Sequence, residues 1–546
     1  MNRFIESYKG KEYDVIVIGG GITGAAVAYD AASRGLSVAL VEKQDFGCAT
    51  SAATSKLIHG GFRYLVNFEF RIVRESLRER RILSNIAPNL VYPTRVLVPC
   101  YNSGVSKHTT IFRLGMLLYD SLSFDKGRTW DASKRIGPHC TIPLSEALKM
   151  EPALPREGIK KVFSYYDCAS LFPERLTLAF IRSAVQCGAE VANYCRVEDF
   201  LFTGGGSKIA GVRVKDLAGS RDVELKGKLT INCGGPWADL ILDAARGHSK
   251  GNRIKRSEGI HIITRKPVCH SLIAMVTSTG RGFVMAPWRG YTLIGPTDKE
   301  YAGNPDEYRV TKQAVRDLVD TVNQALGGAG RIELADVVHA YGGLRPLVGG
   351  DSKSVRDASR KYEIHDSAGD GFEGLITVEG GKYTTSRNLA QNVMKMAAGK
   401  LNAGSGKCIT GERYLAGCDI KDIEKFIDER KAGNPGFDEK TVDTLCRYYG
   451  TDCGRVLELA RQDKALADPL NDDGEIAAQA VFAVRHEMAL TLKDILLRRT
   501  GIGALGDPGA ETITKLANVA AMELKWNEAK KAEQIIEARD PFVISD

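Results

Sequence analysis

An α/β fold with a helical tail is predicted by three observations. Between Tyr13 and Glu42, an apolar β-branched run, a spaced glycine triplet, an alanine-rich segment, a second apolar run and an acid follow in register. Residues 209 to 297 then show repeated strand patterns, and from about residue 405 strand patterns largely give way to helical ones. The expected architecture is a Rossmann-like dinucleotide-binding domain, a mixed antiparallel-sheet domain and an all-α C-terminal domain.

The first unit justifies itself residue by residue. Val15 to Ile18 suit a strand buried on both faces. Gly19, Gly21 and Gly24 fall in the G-x-G-x-x-G spacing: a tight turn, close approach of a pyrophosphate, and close helix packing. Ala25 to Ser33 open a helix whose N-terminus can receive phosphate. Gly35 ends it, Leu36 to Val41 form the next strand, and Glu42 can accept ribose hydroxyls. That acid favours FAD or NAD over NADP.

The segment DFGCATSAATSKLIHGGFRYL follows, rich in small and hydroxylated residues. Ser51, Thr54 and Ser55 can donate to phosphate or ring heteroatoms, and His59-Gly60-Gly61 lets backbone approach a flat ring. Phe70 to Ser84 form an amphipathic helix, Ile72, Val73, Leu77 and Leu83 near one face and Arg71, Arg74, Arg78, Arg80 and Arg81 mainly on the other. Such a basic face is read as solvated, with a membrane surface as the rarer use. A strand over 90 to 100, a helix over 108 to 124, a helix from about Pro173 to Gly188 and strands near Val191 and over Arg196 to Phe200 come next. ADVVHAYGGLRPLVGG at 335 to 350 reads as a strand and a tight glycine turn, and EGLITVEGGKYTTSRNLA as a strand, double glycine and helix. A boundary is placed at 400 to 412, with helices beyond it at Val442 to Tyr449, Arg455 to Arg461 and Glu475 to Arg499.

Composition narrows the function classes. At 546 residues the chain exceeds a single core, and its net charge of +8 is a modest basic excess. Its 12 cysteines show no CxxC pair or zinc-like spacing, so reduced thiols and no metal site are expected. The N-terminal MNRFIESYKG lacks the apolar stretch of a signal peptide, and no run is long enough to span a bilayer. The basic residues are not interleaved with an aromatic platform for nucleic acid.

Taken together, GGGITGAAVAYDAASRG, VEKQDFGCATS, SKLIHGGFRYL, FEFRIVRESLRER, NCGGPWAD, GIHIITR, IGPTDKEYAGNP, GGLRPL, EGGKYTTSRNLA and VFAVRHEMALTLKDILLRRT resemble the FAD-dependent glycerol-3-phosphate dehydrogenases, within the D-amino-acid-oxidase-like and glutathione-reductase-like flavoproteins. SKLIHGGFRYL, GGLRPL and RHEMALTLKDILLRRT are the more specific of these. The resemblance implies an FAD-binding domain from 12–85, 165–250 and 370–400, a substrate-binding domain from 86–164 and 251–369, and a helical domain over 405–546. It implies oxidation of sn-glycerol 3-phosphate to dihydroxyacetone phosphate, with hydride transfer to flavin N5 and electrons passed to a membrane quinone. An oxidase reducing O2 to H2O2 and a non-catalytic flavin-binding module stay open. So does a homodimer. The expected location is cytoplasmic, attached peripherally to the inner face of the cell membrane through basic faces such as 70–84 or through the C-terminal domain. Clustered C-terminal cysteines, the mark of an iron–sulfur-linked variety, are missing.

The residues expected at FAD begin with Gly19, Gly21, Ile22, Thr23 and Gly24, then Glu42 and Lys43. Thr50, Ser51, Ser55, Lys56, Leu57, His59 and Gly60 follow in the small-residue loop. Val197, Gly234 and Trp237 come from the middle of the chain, and Gly381, Lys382, Tyr383 and Thr384 from EGGKYTTS. Alcohol oxidation also needs a proton acceptor, charge for the developing oxyanion and cations for the phosphate. Arg63, Arg345, Arg360 and Lys382 are the substrate-binding candidates, with Arg345 on the oxyanion since a guanidinium does not act as a base. His59 and His261 are the two candidate bases. Glu258 and Pro296 depart from the family pattern on the presumed substrate side. Arg485, His486 and Glu487 are read as packing or electrostatic partners.

Overall fold

The computed structural model describes residues 1–101, 109–155, 157–246, 254–277, 282–327, 330–348, 362–401 and 406–546. Two sheets and a helical block make up this part of the chain. The expected α/β class, with its helical C-terminal region, is what the chain adopts.

The first sheet grows around Glu12–Ile18. Its neighbours Arg221–Asn232 and Val38–Val41 both run parallel to it, pairing Val15 with Leu229 and with Val38. Leu375–Gly380 and Glu190–Ala192 extend the parallel set on either side. Val15, Val17, Leu40 and Ile231 are buried in one continuous core with the helices Ile22–Ser33, Pro173–Gln186 and Ser386–Leu401. Apolar strands covered on both faces have no solvent side, which is why these runs do not alternate.

The second sheet is mixed. Lys255–Thr264 pairs antiparallel with Val337–Leu347 along its whole length and with Tyr291–Gly295 on the other edge. Val91–Tyr101 pairs antiparallel with Ile159–Ser170, and the two halves join where Leu272–Val276 lies parallel to Val91–Tyr101. Two strands sort differently from the expected partition. Tyr362–Asp366, ahead of the 370 boundary, pairs with Leu375–Gly380 in the first sheet. Leu57–Ile58, inside 12–85, pairs with Ile159–Ser170 in the second.

The strand expected within 335–350 spans Val337–Leu347 and contains Gly342 and Gly343; the second glycine pair, at 349 and 350, lies outside the described residues. A Cβ on Gly343 would come within 2.7 Å of the Ala53 methyl, and one on Gly342 within 2.4 Å of the Tyr308 hydroxyl. The double glycine therefore serves close packing of the small-residue loop onto the strand.

The arginine-rich helix spans Phe70–Ile86, and its basic face is turned inward more than the sequence suggests. Arg80 is 1% exposed and pairs with Asp167 at 2.6 Å. Arg74 and Arg81 both bond Asp125, leaving Arg71 and Arg78 exposed. Three of the five arginines are thus engaged in ion pairs with acids of the fold, while Arg71 and Arg78 keep the solvated face that the sequence predicts. The amphipathic pattern could not distinguish the two groups, because acids far along the chain supply the partners.

Among the described residues no β-strand follows Gly380. The C-terminal helices are bolted to the first sheet by buried charges. Asp45, completely buried, accepts from Arg498 Nε at 2.7 Å and from Arg499 Nη1 and Nη2 at 2.6 and 2.8 Å. Arg175 grips Glu487 with a two-pronged bond at 2.7 and 2.8 Å. Arg485 pairs with Glu523, and His486 lies against Arg455, so all three of Arg485, His486 and Glu487 have electrostatic partners.

Candidate active site

A cavity of about 1030 Å³ lies between the two sheets. One end is built from Gly19, Gly21, Ile22, Thr23, Glu42 and Ser51, the other from His59, Arg63, His261, Arg345 and Lys382.

The first end is a phosphate and sugar cradle. Gly19 has φ +103°, and a Cβ there would come within 2.7 Å of the Cys233 carbonyl. A Cβ on Gly24 would lie 1.9 Å from the Gly19 oxygen, so the helix can pack this closely only on glycine. Gly21 caps the helix Ile22–Ser33, and the Ile22 N–H donates to Ser51 Oγ at 2.9 Å. Glu42 ends its strand with both carboxylate oxygens held, accepting from the Gly20 N–H at 2.7 Å and the Gln44 N–H at 2.8 Å. Burial pushes its carboxyl above the ordinary range despite these donors. At the rim, Lys43 lies 4.0 Å over the Trp237 ring, and both Lys43 Nζ and Trp237 Nε1 donate to Asp306, at 2.5 and 3.0 Å.

The second end gathers cations and imidazoles. Arg345 leaves its strand beside Gly259, where an added Cβ would strike its Nη2 at 1.9 Å. Its Nη1 donates to the Thr297 carbonyl at 3.1 Å and lies 3.6 Å from Asp298. Arg63 donates to the Tyr64 hydroxyl at 3.1 Å with its guanidinium over that ring. Lys382 donates to Ser76 Oγ at 2.8 Å and faces the same ring at 4.7 Å. Burial lowers its pKa, and Arg63 adds to the effect. Two cations against one tyrosine ring, both lining the cavity, make a positive patch there.

The two histidines differ. His261 is 1% exposed, its Nε2 sits 2.8 Å from Ser55 Oγ, and its ring stacks on Tyr341 at 5.0 Å. Burial, then Arg345 and Lys56, push it well below the ordinary imidazole range. His59 is half-buried on the wall, its backbone N–H donating to Thr384 Oγ1 at 3.3 Å. Burial lowers its pKa to about 4, Asp167 opposing and Arg63, Lys382 and Arg80 reinforcing the fall. It is therefore a neutral imidazole at pH 7, able to accept a proton.

Most of the sequence candidates reach the wall: Thr50, Ser55, Leu57, Val197, Gly234, Gly381, Tyr383 and Thr384 join those already named. Three candidates for cofactor contact do not. Lys56 adopts a left-handed backbone, φ 58°, and turns its ammonium to Glu174 at 2.9 Å. Gly24 is a packing glycine. Gly60 faces Leu77 and Tyr119 from beneath the wall. Arg360 lies outside the described residues. Sequence reasoning assigned no role to Tyr64, Asp167, Gly259, Asp298 or Asp306. Tyr64, Gly259 and Asp298 lie inside quoted motifs, but their contacts with Lys382 and Arg345 join residues remote in the chain, as do those of Asp167 with Arg80 and Asp306 with Lys43.

The comparisons with known proteins agree with this geometry. Residues 14–387 match the family described as FAD dependent oxidoreductase, and residues 408–531 match the C-terminal domain of alpha-glycerophosphate oxidase. A glycerol-3-phosphate dehydrogenase of Synechocystis is 33% identical over 536 residues, covering 96% of this chain and 95% of its own. The chain belongs to the family of FAD-dependent glycerol-3-phosphate dehydrogenases. An aerobic glycerol-3-phosphate dehydrogenase of Bacillus subtilis is 31% identical, covering 92% of this chain and 89% of its own. A crystal structure of the glycerol-3-phosphate dehydrogenase from Bacillus halodurans complexed with FAD superposes with a TM-score of 0.78 at 27% identity, covering 98% of this chain and 97% of that one.

FAD is the cofactor of this family, and the dehydrogenase cavity fits it. The Gly19–Gly21 turn leaves backbone bare where a pyrophosphate would lie, and Glu42 presents an acid where a ribose would end.

Proposed function

We propose that this enzyme oxidises sn-glycerol 3-phosphate to dihydroxyacetone phosphate and delivers the electrons to a membrane quinone. The observation that carries the reading is the meeting of Arg63, Lys382, Arg345 and the neutral His59 at one end of a cavity whose other end is a dinucleotide cradle. Bound FAD would supply the two-electron acceptor, taking hydride from the carbinol carbon at N5. Arg63 and Lys382 bind the phosphate, the planar guanidinium matching its oxygens in pairs and the ammonium adding a point charge. Arg345, held by the Thr297 carbonyl, stabilises the oxygen as it gains negative charge. His59 takes the hydroxyl proton, since His261 has its Nε2 engaged with Ser55. In this reading the first sheet carries the nucleotide and the second the substrate.

The acceptor is argued from apolar surface. The second-sheet side of the cavity is lined by Val96, Val98, Leu272, Met275 and Phe283, and Phe112 of the helix Thr109–Leu122 closes it. That helix exposes Ile111, Leu114 and Leu117, with Phe68 and Phe124 nearby at 77% and 69% exposure. Such a face suits lipid and an isoprenoid acceptor better than the arginine helix does. No helix among the described residues is long and apolar enough to cross a membrane.

Anaerobic mixing of the FAD-loaded protein with glycerol 3-phosphate tests the core claim: the flavin band should bleach stoichiometrically. An unchanged spectrum would reduce the protein to a flavin-binding module. The match of residues 408–531 to an oxidase domain favours O2 as the rival acceptor. Stoichiometric H2O2 without added quinone would select it, and complete recovery of the protein in the soluble fraction would remove the membrane.

A further inference from the structure

Asp167 belongs to none of the motifs above, yet it sits under the proposed base. It is buried on the strand Ile159–Ser170 and reaches the cavity wall. A single oxygen, Oδ1, accepts from the Gly60 N–H at 2.9 Å, Arg80 Nη1 at 2.6 Å and the Tyr119 hydroxyl at 2.9 Å. Three elements from the second sheet and its helices therefore converge on the backbone that follows His59. The turn has no slack: a Cβ on Gly60 would meet the Tyr119 hydroxyl at 2.2 Å and Leu77 Cδ2 at 2.3 Å. From the opposite side, Thr384 Oγ1 holds the His59 N–H.

Charge points the same way. Arg63, Lys382 and Arg80 all disfavour a proton on His59, and Asp167 is the acid that opposes them. When His59 accepts the substrate proton, the new imidazolium forms among three cations. A carboxylate beneath it lowers the cost.

We infer that Asp167 is the positioning residue of the proton acceptor: anchored by Arg80 and Tyr119, it fixes the His59–Gly60 turn at the cavity wall and supports the charge that His59 gains. This rests on the reading of His59 as the base.

The test is the rate of anaerobic flavin reduction by glycerol 3-phosphate in full-length, FAD-loaded Asp167→Asn, His59→Ala and the double variant. Asp167→Asn should slow reduction at saturating substrate by roughly fiftyfold, with substrate affinity and FAD occupancy held within about twofold. The double variant should be no slower than His59→Ala, because one residue acts through the other. Multiplying losses, or a loss confined to substrate affinity or FAD occupancy, would overturn the inference. A slow His59→Ala beside a normal Asp167→Asn would sink it alone, whereas a fast His59→Ala would sink the base assignment too. Should Asp167→Asn fail to fold, Tyr119→Phe removes one donor and keeps the charge. It should slow reduction by about threefold in the presence of His59 and not at all in His59→Ala. Equal slowing in both backgrounds would refute the role.

Discussion

The two ends of the cavity are made differently. At the nucleotide end, Gly19, Gly21, Glu42 and Ser51 come from one short run of chain around one βαβ unit. At the reactive end, His59, His261, Arg345 and Lys382 come from four distant places and meet only after both sheets have formed. A local unit can encode a cradle because its geometry is set by turn, helix terminus and strand end. A cationic patch beside a neutral imidazole has no such local template. It depends on which residues the sheets bring together.

Perturbing each end separately sharpens this division. The largest effect is expected from Arg345→Ala, which should lower the flavin-reduction rate about a thousandfold, roughly 4 kcal/mol, with bound-flavin absorbance intact. Unchanged steady-state kinetics would take Arg345 out of the site. Next, Arg499→Met leaves the buried Asp45 short of a partner, a loss of about 3 kcal/mol in denaturant midpoint experiments. Because Asp45 lies on the loop just past Glu42, FAD release should rise with it, and a variant that loses stability but keeps full flavin would show that the helical block does not support the cradle. Glu42→Ala should weaken FAD binding by about 2 kcal/mol, roughly thirtyfold, and leave the reduction rate of the flavin-loaded fraction near normal. Full occupancy after dialysis would argue against a ribose contact.

pH separates the ends again. His59 titrates at about 4, so kcat/KM should stay level from pH 8 to 5 and fall as acidification through about 4 protonates the base. A limb near 6.5 would assign the proton to another group. The smallest effect is a control remote from both ends. Lys134 is buried with its ammonium 3.4 Å over the Tyr92 ring, lacks a hydrogen-bond partner, and has its pKa lowered to about 8, chiefly by burial. Between about 8 and the ordinary 10.5 the unfolded chain binds the extra proton, so this lysine's contribution to stability rises with pH across that window. Lys134→Met should add about 1 kcal/mol at pH 7, less the cation–π contact, and flatten the rise. Neither FAD binding nor turnover should change.

Much of this was legible beforehand, and the failures have common causes. The strands of the βαβ unit, the helix at Pro173 and the helical region after 405 follow from apolar period and glycine placement. The sequence places a strand and a tight glycine turn within 335–350 but does not say which glycine pair turns; Gly342 and Gly343 lie inside the strand. There they admit Ala53 and the Tyr308 hydroxyl. The sequence of the basic helix does not show that Arg74, Arg80 and Arg81 are paired, because their partners Asp125 and Asp167 lie on other elements. Lys56 sits among cavity residues in sequence, but its left-handed backbone points it the other way, to Glu174.

Taken alone, the order of residues determined the nucleotide cradle, the fold class and the family, since each depends on short-range spacing that survives without knowledge of the partners. Tertiary structure decided which imidazole is free, which arginines are spent on internal acids, and that Asp167 lies beneath His59. Those outcomes depend on burial and on contacts between residues far apart in the chain, and both arise only when the two sheets close on each other.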